Sequence, residues 1–288
     1  MSEDTPIVII GGNGPVGLCF MQWLAALGLT AEVISRRELD VPPGFMKTTV
    51  DLNNETDWQA PQGAVIVSFL PLWILTGFLP CLSGTQAIIA TGSTSLFGKA
   101  KSGDIHEREV VQKLEQAEKF LINWASQNNI QWTILRPTMI YDGKNDRNIT
   151  HIAQFIKRRH FFPLTAPAKG LRQPIYVDDV AKAAIKCVGN PKAFNKAFNI
   201  SGREILPYRV MVERIFEALK LKPRLILLPG WLLQLSYKIG VKFGYIKSQD
   251  YGAAVFQRMN EDLVFPITDG IKALDYQPRA FKPEFLDI

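Results

Sequence analysis

The sequence predicts an α/β protein in which a doubly wound parallel sheet is followed by a small C-terminal lobe. Three observations predict it. Through the first 136 residues, apolar β-forming runs alternate with helix-period stretches, as parallel strands joined by helical crossovers require. Two of those runs, Ala64–Phe69 and Gln86–Thr91, are nearly unbroken apolar stretches, as expected when helices cover both faces of a strand. The first run passes straight into a glycine-rich turn, and a helix pattern follows at once.

Taken in order, Ile7–Ile10 is the first strand, and Val16, Phe20, Trp23, Leu24 and Leu27 mark a helix over Val16–Leu27. Further strands are expected at Glu32–Ser35, Met46–Val50 and Gln131–Leu135, and further helices at Leu72–Leu82 and Glu107–Gln127. Beyond Arg136 the alternation loosens and proline becomes frequent (Pro137, Pro163, Pro167, Pro174, Pro191, Pro207). Helices are expected there at Asn148–Arg158, Asp178–Gly189, Tyr208–Leu219 and Trp231–Lys242. Residues 1–136 thus form the sheet-bearing domain. Residues 137–288 form mostly a second lobe, interleaved with the last strands of the sheet.

Composition narrows the class. With 47% hydrophobic residues, the 288-residue chain can bury a large core. Cys19, Cys81 and Cys187 are an odd, widely spaced set with no metal-ligand spacing, which suits a reducing cytoplasm and predicts no metal site. The start, M-S-E-D-T-P, lacks the basic and apolar regions of a signal peptide. The net charge is +6, but its densest run, Lys157–Arg158–Arg159–His160, reads as a solvated helix end rather than a nucleic-acid patch. The apolar stretch Leu225–Tyr237 is too short to span a bilayer and is expected to be a packed helix.

The turn Gly11-Gly12-Asn13-Gly14-Pro15-Val16-Gly17 carries the first chemistry. Gly11 lets the chain turn tightly, Gly14 lets backbone approach a pyrophosphate, and Gly17 lets the helix pack close to the strand. Asn13, Pro15 and Val16 complete the loop, and the helix N-terminus presents N–H groups to the phosphates. A dinucleotide site follows. Its second strand ends in Ser35-Arg36-Arg37 with no carboxylate, so a 2′-phosphate is better served than a free ribose hydroxyl. NADP(H) is therefore expected, with NAD(H) the second choice. Asp51 and Leu52, closing the third strand, are candidate adenine contacts.

The chain resembles the extended short-chain dehydrogenase/reductase superfamily, the epimerase/dehydratase group. The residues that carry the resemblance are G-G-N-G-P-V-G at 11–17, D-L at 51–52, T-G-S-T-S-L-F-G at 91–98 and L-R-P at 135–137. They continue with Q-P-I-Y-V-D-D-V-A at 173–181, F-N-I-S-G at 198–202 and A-L-D-Y-Q-P at 273–278. The resemblance implies a Rossmann-type NAD(P)-binding domain with a small substrate lobe. It puts Phe69, Leu70, Pro71 and Thr91 on the cofactor side, Ser93 and Thr94 in the active site, and Pro137 and Thr138 against the nicotinamide. It also implies substrate contacts from Arg147, Arg172 and Gln173, and a homodimer built on the Glu107–Gln127 helix.

One departure matters. The superfamily's Tyr-x-x-x-Lys pair occurs nowhere in the chain. Anchored on Glu118 and Arg136, the pair falls on Val110 and Leu114; a one-residue shift gives Glu109 and Lys113, toward solvent. Candidate catalytic groups are then Ser93, Tyr141 and Lys113, with His106 beside them. Asp178 and Asp179 read as the cap of a helix rather than as catalysts. Two functions fit: an oxidoreductase or epimerase-like enzyme acting on a carbonyl or hydroxyl substrate, such as a nucleotide sugar, with a non-standard proton donor, or a redox-inert NADP(H)-binding sensor or assembly subunit. NmrA-like regulators and an accessory subunit of respiratory complex I are superfamily precedents for the second.

Overall fold

The structure, a computed structural model, describes residues 5–51, 58–235 and 254–285. Its core is a seven-stranded, all-parallel sheet in the order β11-β6-β5-β4-β1-β2-β3. The strands are β1 (Ile7–Ile10), β2 (Glu32–Ser35), β3 (Met46–Thr49), β4 (Val65–Ser68), β5 (Ala87–Thr91), β6 (Gln131–Pro137) and β11 (Lys196–Ile200). The last is supplied by the C-terminal half, so the sheet draws on both halves of the chain.

Strand period explains the two layers of helices. Ile7 and Ile9 point to one face, where they meet Phe20 and Leu24 of α1 (Pro15–Ala26) and Val180 and Ala184 of α6 (Val177–Cys187). Val8 and Ile10 point to the other, against Leu72 and Leu75 of α2 (Leu72–Leu75) and Ala117 and Leu121 of α4 (Ile105–Gln127). All four residues of β1 and of β4 are buried, which is why their sequences show no polar alternation. Phe20 is wholly buried, and truncating such a side chain to alanine costs about 3–5 kcal/mol.

The lobe has its own core, formed by Ile152 and Ile156 of α5 (Ile149–Arg159), Leu164, Phe281, and Met211 and Phe216 of α7 (Tyr208–Ala218). Short strand pairs frame it: β7 (Ile140–Tyr141) with β10 (Ile175–Tyr176), β8 (Phe162–Thr165) with β13 (Leu225–Leu228), and β9 (Leu171–Arg172) with β12 (Leu206–Pro207).

Several expectations need correction. The helix expected over Leu72–Leu82 stops at Leu75 and continues as a 3-10 run, Thr76–Leu82. Pro80 lies inside that run, where it has no N–H to give an α-helical bond. Helix α4 begins two residues earlier than expected because Asp104 caps it, accepting the His106 N–H at 2.9 Å. Leu225–Tyr237 is no single packed helix. Leu225–Leu228 is strand, residues 230–235 are helical with Trp231 and Leu235 exposed, and Tyr237 lies outside the described residues. Asp178 and Asp179 do not cap α6 with their side chains; Tyr176 is its N-cap. Instead Asp179 accepts Arg279 N–H and Nε, and Asp178 takes Trp23 Nε1, Lys182 and Arg279 Nη2.

Candidate functional site

The C-terminal ends of the central strands line up because of their register. Ile10 lies opposite Ser68, Ser68 opposite Ala90, and Thr91 opposite Leu135. The strand order reverses on either side of β1, and ligands of doubly wound sheets bind at such switch points. Phe69 continues the ladder by donating its N–H to the Ile10 carbonyl at 2.9 Å.

The glycine turn meets its steric demands in different ways. Gly11 has φ +81°, and a Cβ there would lie 3.0 Å from Leu70 N, so Leu70 crosses directly over the turn. A Cβ on Gly17 would lie 2.7 Å from both Cα and O of Gly12, which makes this the closest packing of helix on turn. A Cβ on Gly14 would meet only the Gly11 carbonyl, at 3.8 Å. No steric contact within the fold therefore requires glycine at 14. The space belongs to whatever approaches the turn. Gly14 is also the N-cap of α1, with Pro15 at its first turn and no side chain capping it, so the N–H groups face outward. Asn13 is exposed and Val16 half-buried on this loop.

Beyond β2, Ser35 is buried and its Oγ accepts the Arg37 N–H at 3.3 Å, while Arg36 and Arg37 are exposed. Asp51 is exposed just past β3; Leu52 lies outside the described residues. Phe69 packs on Phe20 with centroids 5.2 Å apart, and Pro71 is exposed. Thr91 Oγ donates to the Ser68 carbonyl at 3.1 Å, tying the ends of β4 and β5 together.

A cavity of about 390 Å³ opens where the sheet meets the lobe. Thr91, Ser93, Thr94, Pro137 and Thr138 line one side; Arg172, Gln173, Arg258, Leu263 and Phe265 line the other. Ser93 Oγ accepts the Ser95 N–H at 3.1 Å. Thr94 donates both N–H and Oγ to the Pro137 carbonyl, and Thr138 Oγ donates to the Gln173 carbonyl. These bonds stitch the serine loop, β6 and the lobe into one rim. Beneath it Arg136 makes a two-point contact with Glu118, Nε to Oε1 at 2.9 Å and Nη2 to Oε2. A Cβ on Gly92 would sit 3.0 Å from Glu118 Oε1, so this ion pair supports the Ser93 loop from below.

The expected substrate residues divide. Gln173 is 5% exposed on the cavity wall, and its Oε1 has no partner among the described residues. Arg172 is 2% exposed and sequestered: its two terminal nitrogens donate to the carbonyls of Leu171, Glu261 and Arg258, and its guanidinium lies 5.0 Å from the Tyr208 ring centre. Burial pulls its pKa down to about 10. Arg147 is exposed and does not line the cavity.

The expected proton donors fare differently from their placing. Tyr141 belongs to the lobe core, 1% exposed, with the Tyr176 and Phe281 rings each 5.2 Å away. Burial pushes its pKa up to about 12. It does not line the cavity, and neither does Lys113, which is exposed on α4. His106 is exposed beside Glu109 at 3.5 Å. Val110 is half-buried and Leu114 buried, so apolar side chains hold the inner face of α4 there.

Sequence reasoning missed Lys99, which immediately follows the 91–98 motif and lines the cavity. Its ammonium is 3.1 Å from Glu107 Oε1, and Arg258 pairs with Oε2 of the same carboxylate. Burial works to raise the Glu107 pKa, yet the Ser102 hydroxyl, Lys99 and Arg258 hold it below the ordinary value. Arg258, Leu263 and Phe265 were also missed; they arrive from the far end of the chain and carry no local motif.

Comparison with known proteins agrees with this geometry. Residues 81–201 match the family model of the NAD dependent epimerase/dehydratase family. A UDP-glucose 4-epimerase of Vibrio cholerae is 22% identical over 157 residues, covering 54% of this chain and 48% of the relative. NADH dehydrogenase [ubiquinone] 1 alpha subcomplex subunit 9, mitochondrial, of Arabidopsis thaliana is 30% identical over 99 residues, 34% of this chain and 24% of that protein. The matched stretches thus span half or less of both relatives. In structure, a UDP-glucuronic acid 4-epimerase from Bacillus cereus, solved in complex with NAD, superposes with a TM-score of 0.71 at 12% identity, covering 97% of this chain and 94% of that one. The chain therefore matches the NAD dependent epimerase/dehydratase family over residues 81–201 and, over nearly its whole length, resembles the extended short-chain dehydrogenase/reductases in fold.

Proposed function

We propose that the protein is an NADP(H)-binding oxidoreductase or epimerase-like enzyme acting on a carbonyl or hydroxyl of a small molecule, with nucleotide sugars the leading substrate class. The observation that carries the proposal is the unpartnered Gln173 Oε1 on the wall of a cavity shared by sheet and lobe. A buried acceptor left without a donor costs about 1–3 kcal/mol, and a substrate hydroxyl would supply the missing donor. The open space at Gly14 supports dinucleotide binding at the turn. Ser35, Arg36 and Arg37 favour NADP(H). The Ser35 hydroxyl keeps its proton to donate, and neither guanidinium has a carboxylate partner among the described residues.

The dinucleotide, when bound, supplies or accepts hydride. The chain must then orient the substrate oxygen and handle its proton. Ser93, which lines the cavity, would hydrogen-bond that oxygen. Lys99 is the proton donor we propose: it is the one lysine among the described cavity residues, and its side chain keeps 33% exposure to solvent. The exposed apolar side chains Trp73 and Ile74 of α2 and Phe120 of α4 support a homodimer through these helices. Three free thiols suit a reducing cytoplasm.

A second reading has its own support. Apolar Val110 and Leu114 at the expected Tyr and Lys positions favour a redox-inert NADP(H)-binding subunit, and the likeness to a plant NADH dehydrogenase subunit leans the same way. Titration with NADPH and NADH, followed by turnover of UDP-sugars, separates the two. The enzyme reading expects tight NADPH binding and turnover that falls at least about tenfold in Ser93→Ala and about a hundredfold in Lys99→Ala, with cofactor affinity kept. NADPH binding with no turnover across the panel favours the inert subunit. Turnover indifferent to both substitutions would overturn the assignment of Ser93 and Lys99.

A further inference from the structure

We infer that the lobe carries a docking surface for an anionic lipid bilayer, formed by β13, the helical residues 230–235 and the cationic ends of two neighbouring elements. Its apolar part is unusually open. Ile226 and Leu227, consecutive in a strand and so on opposite faces of the ribbon, are 42% and 45% exposed, and Ile226 is the one assigned to this surface. Trp231 and Leu235, one helical turn apart, are 66% and 47% exposed, while Leu233 on the opposite side is 3% exposed. The segment is thus anchored inward and presents a tryptophan and a leucine outward. No other large apolar side chain among the described residues is as exposed as Trp231.

Its cationic part is assembled by the fold from two distant stretches. Helix α5 ends in Lys157, Arg158 and Arg159, with His160 as its C-cap, and β8 starts two residues later. The link before β13 carries Lys220, Lys222 and Arg224. β8 and β13 run parallel with Phe162 opposite Leu225, and Phe162 donates its N–H to the Arg224 carbonyl at 2.9 Å. Both basic stretches therefore converge where β8 and β13 begin, and the four-residue β13, roughly 13 Å long, separates them from Trp231 and Leu235 beyond its other end. Arg158, Arg159, Lys220, Lys222 and Arg224 are all exposed, and among the described residues none is paired with a carboxylate.

Charge decides the occupant. A second copy joined about a two-fold axis would press these cations against themselves. A nucleic acid would neutralise them but leave Trp231, Leu235 and Ile226 in water. An anionic bilayer satisfies both halves at once: head groups meet the cations, and the indole and leucine enter the boundary below them. No described helix is long and apolar enough to cross a membrane, so the contact is with the surface.

Co-sedimentation of the full chain with phosphatidylcholine vesicles, with and without phosphatidylglycerol, tests the inference. Binding should require phosphatidylglycerol and be released by salt. The Trp231→Ser/Leu235→Ser variant should abolish it with NADPH affinity unchanged. The milder Arg158→Ser/Arg159→Ser variant, confined to an exposed helix end, should weaken it about tenfold or more. Three results would overturn the inference: no binding to phosphatidylglycerol vesicles at low salt, binding that neither variant alters, or a Trp231→Ser/Leu235→Ser variant that dissociates a dimer while vesicle binding persists. Capture of an acidic protein in place of vesicles would likewise exclude the bilayer.

Discussion

The turn at residues 11–17 and the first turns of α4 face the same end of the sheet, yet they are constrained in opposite ways. At the turn every steric condition for a close-lying ligand is kept: Gly17 touches Gly12, Leu70 crosses Gly11, and Gly14 alone is left open. On α4, where the resemblance puts a tyrosine and a lysine, the helix holds Val110 and Leu114 and packs as an ordinary amphipathic helix. Grip on a dinucleotide and acid–base chemistry are therefore separable parts of this architecture. The turn here meets the steric conditions for the first, while the second would have to come from side chains other than Val110 and Leu114.

The largest test of that contrast strikes the α4 side. Glu118→Ala leaves the half-buried Arg136 without its carboxylate, which should cost about 3 kcal/mol in denaturant unfolding, at the lower end for such pairs because the Arg136 side chain keeps 18% exposure. It should also loosen the Ser93 loop above it. Next comes Arg36→Ala, which should weaken NADPH by about 1.5–3 kcal/mol and NADH hardly at all; equal losses would show that the arginine does not read the 2′-phosphate. Within the turn, Gly17→Ala and Gly14→Ala should part company. The first forces a backbone clash and should lower stability by about 1–3 kcal/mol. The second removes only a glycine N-cap and should cost clearly less stability than the first while weakening NADPH, and a matching loss of stability in both would sink the claim that Gly14 serves a ligand.

The smallest effect belongs to Tyr141→Phe. Since Tyr141 is raised from its ordinary 10.0 to about 12, its stabilising contribution is complete below pH 10 and is lost as pH climbs toward 12. The variant should flatten that alkaline loss, measured by unfolding across the range, and leave any turnover at neutral pH intact.

What the sequence reveals follows from how local each signal is. The unbroken apolar runs of β1, β4 and β5 and the glycine turn are written in neighbouring residues, and the strands and α1 stand where that pattern puts them. The break at Leu75 is legible too, since Pro80 lies inside the run that follows it. The cavity wall is another matter. Arg258, Leu263 and Phe265 reach the serine loop only through tertiary folding, and Arg172 is disarmed by carbonyls more than eighty residues away in sequence, Arg258 and Glu261. No pattern of side chains announces which backbone oxygen will meet a guanidinium. Exposure of Trp231 was hidden for the same reason, because hydrophobicity alone does not tell an inward face from an outward one.

The packing of α6 on α1 has a kinetic consequence. Val180, Ala181 and Ala184 share one buried cluster with Phe20 and Leu24, Trp23 Nε1 donates to Asp178, and the Lys182 ammonium lies 4.3 Å from the Trp23 ring centre. The second half of the chain is thereby welded into the first. A jaw that swings open about a hinge would have to tear this core apart. Under the proposed function, ligand exchange would fall to the short segments at the cavity mouth, residues 93–99 and 258–265, where only Thr94 and Met259 are buried. Entry and release should therefore be timed by loops, and a cross-link between α1 and α6 should leave their rates untouched.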